Sequence, residues 1–158
     1  MNEIDRILFE IRSKRVRPHL DDKIITAWNG LAISALARAG QILEKDSYVD
    51  AARRAAEFLK TNLYQSESRE LLRLYRGTPS HVQAFTEDYA FLIQGLIDLY
   101  ETTGEPNWLD WANTLQETEN SLFYDNENSG FSSSGKAKTL YSTDQKTDLT
   151  EPCLAPTR

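Results

Sequence analysis

The chain has 158 residues, of which 40% are hydrophobic and 27% charged, a composition typical of one soluble globular domain. Its net charge of −6 argues against nucleic acid and anionic membranes as partners, and no apolar run reaches the ~20 residues that span a bilayer. The single cysteine, Cys153, excludes an internal disulfide and a paired-thiol site, so we expect a cytoplasmic protein without cofactor or metal.

Three helices are predicted in the first part of the chain. The first is short and amphipathic, because four apolar residues recur at helical spacing: Ile4, Ile7, Leu8 and Ile11. Pro18 disfavours helix at the residue before it, and a second helix is predicted over residues 24–43. This helix is apolar on nearly all sides, which is typical of a helix buried all round, and Asp21 and Asp22 precede it as candidate N-caps. The third helix is amphipathic, with Val49, Ala52, Ala56 and Leu59 on its apolar face.

The second part of the chain repeats this arrangement. A strand-like run over residues 71–75 ends at Gly77 and Pro79. A helix over about residues 83–102 is again apolar on most sides, and an amphipathic helix starts near Pro106. Aligning the Gly-Leu pairs at 30–31 and 95–96 gives an offset of 65 residues. The sequence therefore predicts two copies of one hairpin, each with an inner apolar helix and an outer amphipathic helix.

Such hairpins are the building blocks of an α/α toroid, in which inner helices surround a cavity and the loops at one rim hold the site. We predict an all-α fold with two helical hairpins of an incomplete (α/α)6 toroid over residues 1–131. A short β hairpin or strand is expected between the repeats. Composition rich in Ser, Asn, Gly and Lys predicts an irregular, flexible tail over residues 132–158.

Two motifs carry a resemblance to a known family. They are RPHLDDKIITAWNGL over residues 17–31 and AFTEDYAFLIQGL over residues 84–96. Together they resemble the spermatogenesis-associated protein 20 family, which combines a thioredoxin-like domain with a six-hairpin toroid similar to those of glycosidases and sugar 2-epimerases. The resemblance covers about residues 1–131, an early part of that toroid. It implies a carbohydrate-related role, a saccharide ligand in the intact parent protein and no activity in this part alone.

Four carboxylates at the starts of the two inner helices are the candidate catalytic residues: Asp21, Asp22, Glu87 and Asp88. Asp22 and Glu87 are equivalent under the 65-residue offset. Two carboxylates across a cleft can act as proton donor and base in glycoside hydrolysis. The alternative is that they cap helices and form ion pairs, with Arg73 or Arg76 as partners.

Five further side chains are candidate substrate ligands: His19, Lys23, Trp28, Asn29 and Tyr89. The two aromatic rings could stack on a sugar ring, while the amine and the amide hold its hydroxyl groups. His19, or alternatively His81, could transfer a proton, since only histidine titrates near neutral pH without perturbation. The alternative is that the aromatic rings belong to the core and the histidines are ordinary loop residues.

A different class of function competes with carbohydrate chemistry. Two hairpins cannot close a ring, so inner-helix faces are left for the remaining toroid or for a second copy of the chain. The chain would then be a non-catalytic interaction fragment, with Leu92, Leu96 and Leu99 on the associating face. A truncated translation product is a third interpretation, which the loss of periodicity after Phe131 favours.

Overall fold

The computed structural model describes residues 3–126 and 129–133. Its helices are α1 (Glu3–Ser13), α2 (Thr26–Leu43), α3 (Asp46–Asn62), α4 (Thr86–Thr103) and α5 (Pro106–Phe123). Its short strands are β1 (Ile24–Ile25), β2 (Tyr64–Gln65), β3 (Glu70–Leu71), β4 (Leu74–Arg76), β5 (Thr78–Pro79), β6 (Tyr124–Asp125) and β7 (Gly130–Phe131). They pair antiparallel as β1-β4-β5, β2-β3 and β6-β7. The predicted helical hairpins with short strands between them are confirmed; most of the predicted tail, including Cys153, lies outside the described residues.

The two inner helices, α2 and α4, run side by side in the same direction. A Cβ atom on Gly30 would lie 2.5 Å from the carbonyl carbon of Phe91, and one on Gly95 would lie 2.5 Å from the carbonyl oxygen of Gly30. The two backbones therefore touch where both side chains are absent. This contact sets the helices in register, so that both begin at the same end of the hairpin pair, which we call the rim.

The outer helices complete one hydrophobic core, with α3 packed on α2 and α5 packed on α4. Fully buried side chains of this core are Ile33, Leu59, Leu63, Leu71, Leu92, Leu96, Leu99 and Leu115. The prediction that Leu92, Leu96 and Leu99 form an exposed associating face is therefore wrong, because these side chains are fully buried in the core. Helix α2 is also not buried all round, since Trp28 is 67% exposed and Ile42 is 78% exposed.

The chain between α3 and α4 builds the rim and fixes the start of α2. Ile24 and Ile25 pair with Tyr75 and Leu74 as a strand, so α2 starts two residues later than predicted. The backbone N–H of Thr26 donates to the carbonyl of Arg73 at 2.9 Å, and its buried hydroxyl donates to the carbonyl of Leu72 at 2.7 Å. The N-cap position is occupied by Ile25. The prediction that Asp21 or Asp22 caps α2 is wrong, because a strand separates them from the helix.

No helix within residues 3–126 and 129–133 combines the length and hydropathy needed to cross a bilayer.

Replacing Gly30 with Ala tests the contact between the inner helices. The new methyl group would push against the α4 backbone, which cannot rotate away as a side chain can. We expect the free energy of unfolding to fall by about 2 kcal/mol, even though alanine favours helix by about 1 kcal/mol. Urea unfolding followed by circular dichroism measures the change. The control, Ala35→Leu, enlarges an exposed position on the same helix and should shift stability by no more than about 0.5 kcal/mol. Unchanged or increased stability of Gly30→Ala would contradict the backbone contact.

Candidate functional site

Asp88 is the buried centre of the rim. Its side chain is fully buried, and its carboxylate accepts hydrogen bonds from the backbone N–H of Ala27 at 3.0 Å and of Phe85 at 2.9 Å. The Nη1 atom of Arg73 also donates to it, at 3.1 Å. Burial raises the pKa of Asp88, while the two backbone hydrogen bonds and the charge of Arg73 act in the opposite direction. One carboxylate therefore caps the first turns of both inner helices.

Arg73 connects this buried carboxylate to an exposed one. Its Nη2 atom donates to Glu87 at 2.9 Å, and its guanidinium lies over the Phe85 ring, 4.5 Å from the ring centroid. The Glu87 side chain is 53% exposed, whereas that of Asp88 is fully buried. Of the two predicted carboxylates on α4, only Glu87 is accessible to a ligand. The predicted pairing of Arg73 with the acidic cluster is confirmed.

An open groove of about 570 Å³ lies beside Glu87. We call it the rim groove; its lining includes Arg73, Phe85, Glu87, Phe91, Phe131 and Ser132. All three phenylalanine rings are partly exposed, between 38% and 49%. Aromatic faces beside a carboxylate and a guanidinium are suited to a sugar, which has apolar C–H faces and hydroxyl groups. The aromatic residues were not predicted as site residues, because Phe91 looks like a core position in the sequence and Phe131 follows a separate hairpin.

The carboxylates that precede α2 form a second, exposed cluster. Asp22 pairs with the Nε atom of Arg76 at 2.6 Å, and Arg76 Nη2 lies 3.3 Å from Nε2 of His19. Asp21 pairs with Lys23 at 2.8 Å, and this contact holds the pKa of Asp21 below its usual value. The structure thus brings His19 and Asp22 together through Arg76, which confirms that Arg76 pairs with a carboxylate. All of these groups are exposed, so they are accessible to a ligand.

The predicted substrate ligands differ in exposure. Trp28 is exposed, so the interpretation of its ring as a core aromatic is wrong. Asn29 is half-buried and its Nδ2 donates to the carbonyl of Ile25 at 2.9 Å. Tyr89 is buried against Phe123, and its hydroxyl accepts from the N–H of Leu71 at 2.9 Å. Burial raises the pKa of Tyr89 to about 12. A ligand cannot reach this ring, so the structure contradicts the predicted stacking of Tyr89 on a sugar.

A further polar cluster, around Asp98, joins the middle of α2 to the middle of α4, and the sequence analysis did not predict it. The buried carboxylate of Asp98 accepts from Arg38 at 2.7 Å, from Gln94 at 3.1 Å and from the hydroxyl of Ser34. Burial alone would raise the pKa of Asp98, but these hydrogen bonds outweigh it and hold the pKa below its usual value. Arg38 and Ser34 lie on α2, whereas Asp98 lies on α4 in the other hairpin. Because the partners are about 60 residues apart in sequence, the spacing of residues within one helix does not predict this cluster.

Within the described ranges, no group of three or more His, Cys, Asp and Glu side chains is placed to hold a metal ion.

Comparison with known proteins gives matches over most of the chain. The model of glycosyl hydrolase family 76 matches residues 22–147. Spermatogenesis-associated protein 20 from Homo sapiens is 41% identical over 132 residues, which are 78% of this chain, and the Rattus norvegicus protein is 40% identical over the same length. The predicted resemblance to that family is confirmed. The chain spans 17% of the length of these relatives.

Solved structures share the fold. A cellobiose 2-epimerase from Bacillus thermoamylovorans is similar with a TM-score of 0.66 and 21% identity, over 73% of this chain and 30% of the epimerase. A family 76 α-mannanase from Bacteroides thetaiotaomicron is similar with a TM-score of 0.65 and 17% identity, over 74% of this chain and 33% of the mannanase. These similarities establish that the two hairpins have the fold of hairpins in an α/α toroid.

Replacing Asp88 with Asn tests its role as the shared cap of the inner helices. The amide keeps the shape of the side chain but removes the negative charge that Arg73 and the two backbone N–H groups contact. Its NH₂ group would also point at one of these donors and could not accept a hydrogen bond from it. We expect the free energy of unfolding to fall by about 2–3 kcal/mol in urea denaturation. Asp110→Asn, at an exposed position on α5, should change it by no more than about 0.5 kcal/mol. Equal stability of the two variants would contradict the role of Asp88.

The lowered pKa of Asp98 predicts a specific dependence of stability on pH. Because the folded-state pKa lies below the unfolded-state value, the stabilisation is fully present above the ordinary pKa of about 3.8. It is lost as the pH falls through the lower folded-state value. We expect urea midpoints measured between about pH 2.5 and pH 6 to fall less steeply with acid in Asp98→Asn than in the parent chain. Identical slopes would show that Asp98 does not contribute to acid sensitivity.

Proposed function

Because the chain belongs to glycosyl hydrolase family 76, we propose that it binds a saccharide in the rim groove, as part of a carbohydrate-active protein. The observation that carries this proposal is the position of Glu87, an exposed carboxylate at the rim beside Phe91 and Phe131. Carboxylate oxygens accept hydrogen bonds from sugar hydroxyl groups, and aromatic rings cover the C–H face of the sugar. Ligands of α/α toroids are expected at this end, where the inner helices begin.

We assign Glu87 the role of a catalytic carboxylate and Arg73 the role of positioning it. Both oxygens of the neighbouring carboxylate, Asp88, accept hydrogen bonds from the starts of α2 and α4. We therefore assign Asp88 a structural role at the rim and no contact with the substrate. Asp21 and Asp22 are exposed on the same end and are candidates for the second carboxylate that glycoside hydrolysis requires. The exposed ring of Trp28 is the candidate platform on α2 for stacking on a sugar ring. Asn29 is a weaker candidate contact, since its side-chain nitrogen already donates to the carbonyl of Ile25.

The groove alone offers one accessible carboxylate and an open wall. Retaining and inverting glycosidases both act on a sugar held between two carboxyl groups, in a site that excludes bulk water. We therefore propose that these hairpins bind sugar weakly and have no activity by themselves. Catalysis would require the remaining wall of a toroid in a longer protein.

A second candidate function is association, and exposed apolar side chains favour it. Helix α1 buries none of its residues, so Ile4, Leu8 and Phe9 are all at least 60% exposed. On α2, Leu31 and Ile42 are exposed as well. Exposed apolar patches of this kind mark binding surfaces or lead to aggregation. We propose that the exposed side chains of α2, Leu31 and Ile42 among them, pack on further hairpins of the toroid in a longer protein, which is compatible with a sugar site at the rim.

Sugar titration of the Glu87→Gln variant tests the proposed function. Cellobiose and mannobiose are titrated into the 158-residue chain, and binding in the rim groove is followed by chemical-shift changes of the backbone amides of Phe85, Glu87, Phe91 and Phe131 in ¹H–¹⁵N spectra. Loss of a charged hydrogen-bond acceptor should weaken binding about tenfold or more. Phe91→Ala should weaken it as well, because it removes the apolar platform.

Glu57→Gln is the matched control, since Glu57 is exposed on the outer helix α3. Its dissociation constant should equal that of the parent chain. Absence of sugar binding by the parent chain would contradict the proposal, and so would equal affinities of Glu87→Gln and Glu57→Gln. Unchanged affinity of Phe91→Ala at the rim-groove resonances would contradict the role of the Phe91 ring as an apolar platform.

A further inference from the structure

A second groove lies on the opposite face of the extended segment that forms the rim. Consecutive side chains of an extended chain point to opposite faces, and here Arg73 lines the rim groove while Leu72 lines the second one. The second groove has a volume of about 450 Å³. We call it the amide groove; its lining includes Asn62, Gln65, Leu72, Pro79, His81 and Gln83.

The polar side chains of the amide groove have open hydrogen-bonding capacity. Neither Gln65 nor Gln83 uses its side-chain amide in a hydrogen bond to any residue in the described part of the chain. Asn62 donates through Nδ2 to the carbonyl of Phe58 at 2.9 Å, which leaves its Oδ1 available. In the rim groove, Arg73 donates to one oxygen of Glu87, and the other carboxylate oxygen keeps acceptor capacity. Unused donors and acceptors that converge on a groove are typical of a ligand site.

The backbone beneath these side chains is held in place. Leu72 and Gln83 form a β-bridge, and the backbone N–H of Arg73 donates to the carbonyl of Val82 at 2.9 Å. The turn that carries His81 is closed by the Ser80 hydroxyl, which accepts from the N–H of Val82 at 2.8 Å. A groove whose walls are already ordered loses less entropy when a ligand binds.

The chemistry of the lining selects a neutral, hydroxyl-rich ligand. Among the residues that the structure describes, no carboxylate, ammonium or guanidinium lines the groove, so the described lining offers a charged ligand no counter-charge. Side-chain amides both donate and accept, as sugar hydroxyl groups do, and Leu72 with Pro79 offers an apolar floor for C–H groups. We propose that the amide groove is a second binding site for neutral saccharides. The choice of a saccharide as ligand rests on the proposed function, whereas the presence of unbonded side-chain amides in the groove is independent of it.

Side-chain amide resonances report on this site separately from the rim groove. Mannobiose and cellobiose are titrated into the ¹⁵N-labelled chain, and the side-chain NH₂ signals of Asn62, Gln65 and Gln83 are followed. We expect these signals to shift in the parent chain and also in Glu87→Gln, whose rim groove is impaired. Gln83→Leu should reduce the shifts of the other two amides at least threefold. Gln41→Leu, at an exposed position on α2, should leave them unchanged.

Four outcomes would overturn the inference. Shifts confined to Phe91, Phe131 and Glu87 would show that sugar binds only in the rim groove, and the proposed function would then stand without a second site. Equal amide shifts in Gln83→Leu and Gln41→Leu would show that the groove does not hold the ligand. Equal shifts on addition of a neutral tetra-alanine peptide would assign the groove to peptide main chain instead of sugar. Absence of shifts in both grooves would contradict the proposed function as well.

Discussion

The rim depends on one buried carboxylate that two helices share. Asp88 accepts backbone hydrogen bonds from the first turn of α2 and from the start of α4, and it also accepts from Arg73. A buried acid of this kind is tolerated only when donors surround it, because desolvation otherwise costs several kcal/mol. The same arrangement fixes Arg73, and Arg73 in turn holds Glu87 at the edge of the groove. The accessible acid is thus positioned by the inaccessible one.

Much of the fold could be predicted from the sequence, because periodicity and repeat spacing report on local structure. The apolar pattern of residues 24–43 identified an inner helix, and the Gly30 and Gly95 alignment identified its parallel partner. The start of α2 was misplaced by two residues, because Ile24 and Ile25 are apolar in both a helix and a strand. Only their pairing with Leu74 and Tyr75, about fifty residues away, decides between the two structures.

The candidate site was harder to predict, because burial depends on which hairpin a side chain faces. Glu87 and Asp88 are adjacent acids in the sequence, but a rotation of about 100° around the helix places one in solvent and the other in the core. Trp28 and Tyr89 differ in the same way, with the Trp28 ring exposed and the Tyr89 ring buried. The groove aromatics Phe85 and Phe131 are 46 residues apart in sequence, and their proximity requires the second hairpin, α4 with α5, to be folded.

The shared cap also has a consequence for the order in which the chain folds. Ala27 and Asp88 are 61 residues apart, and Thr26 is anchored to a carbonyl 46 residues away. Contacts of such separation form late, because loop closure must precede them. During synthesis, the first hairpin leaves the ribosome with the N-terminus of α2 unsatisfied and one side of Gly30 uncovered. The nascent first hairpin therefore exposes unpaired backbone N–H groups and an uncovered helix face until α4 emerges, and the rim is complete only once the second hairpin has folded.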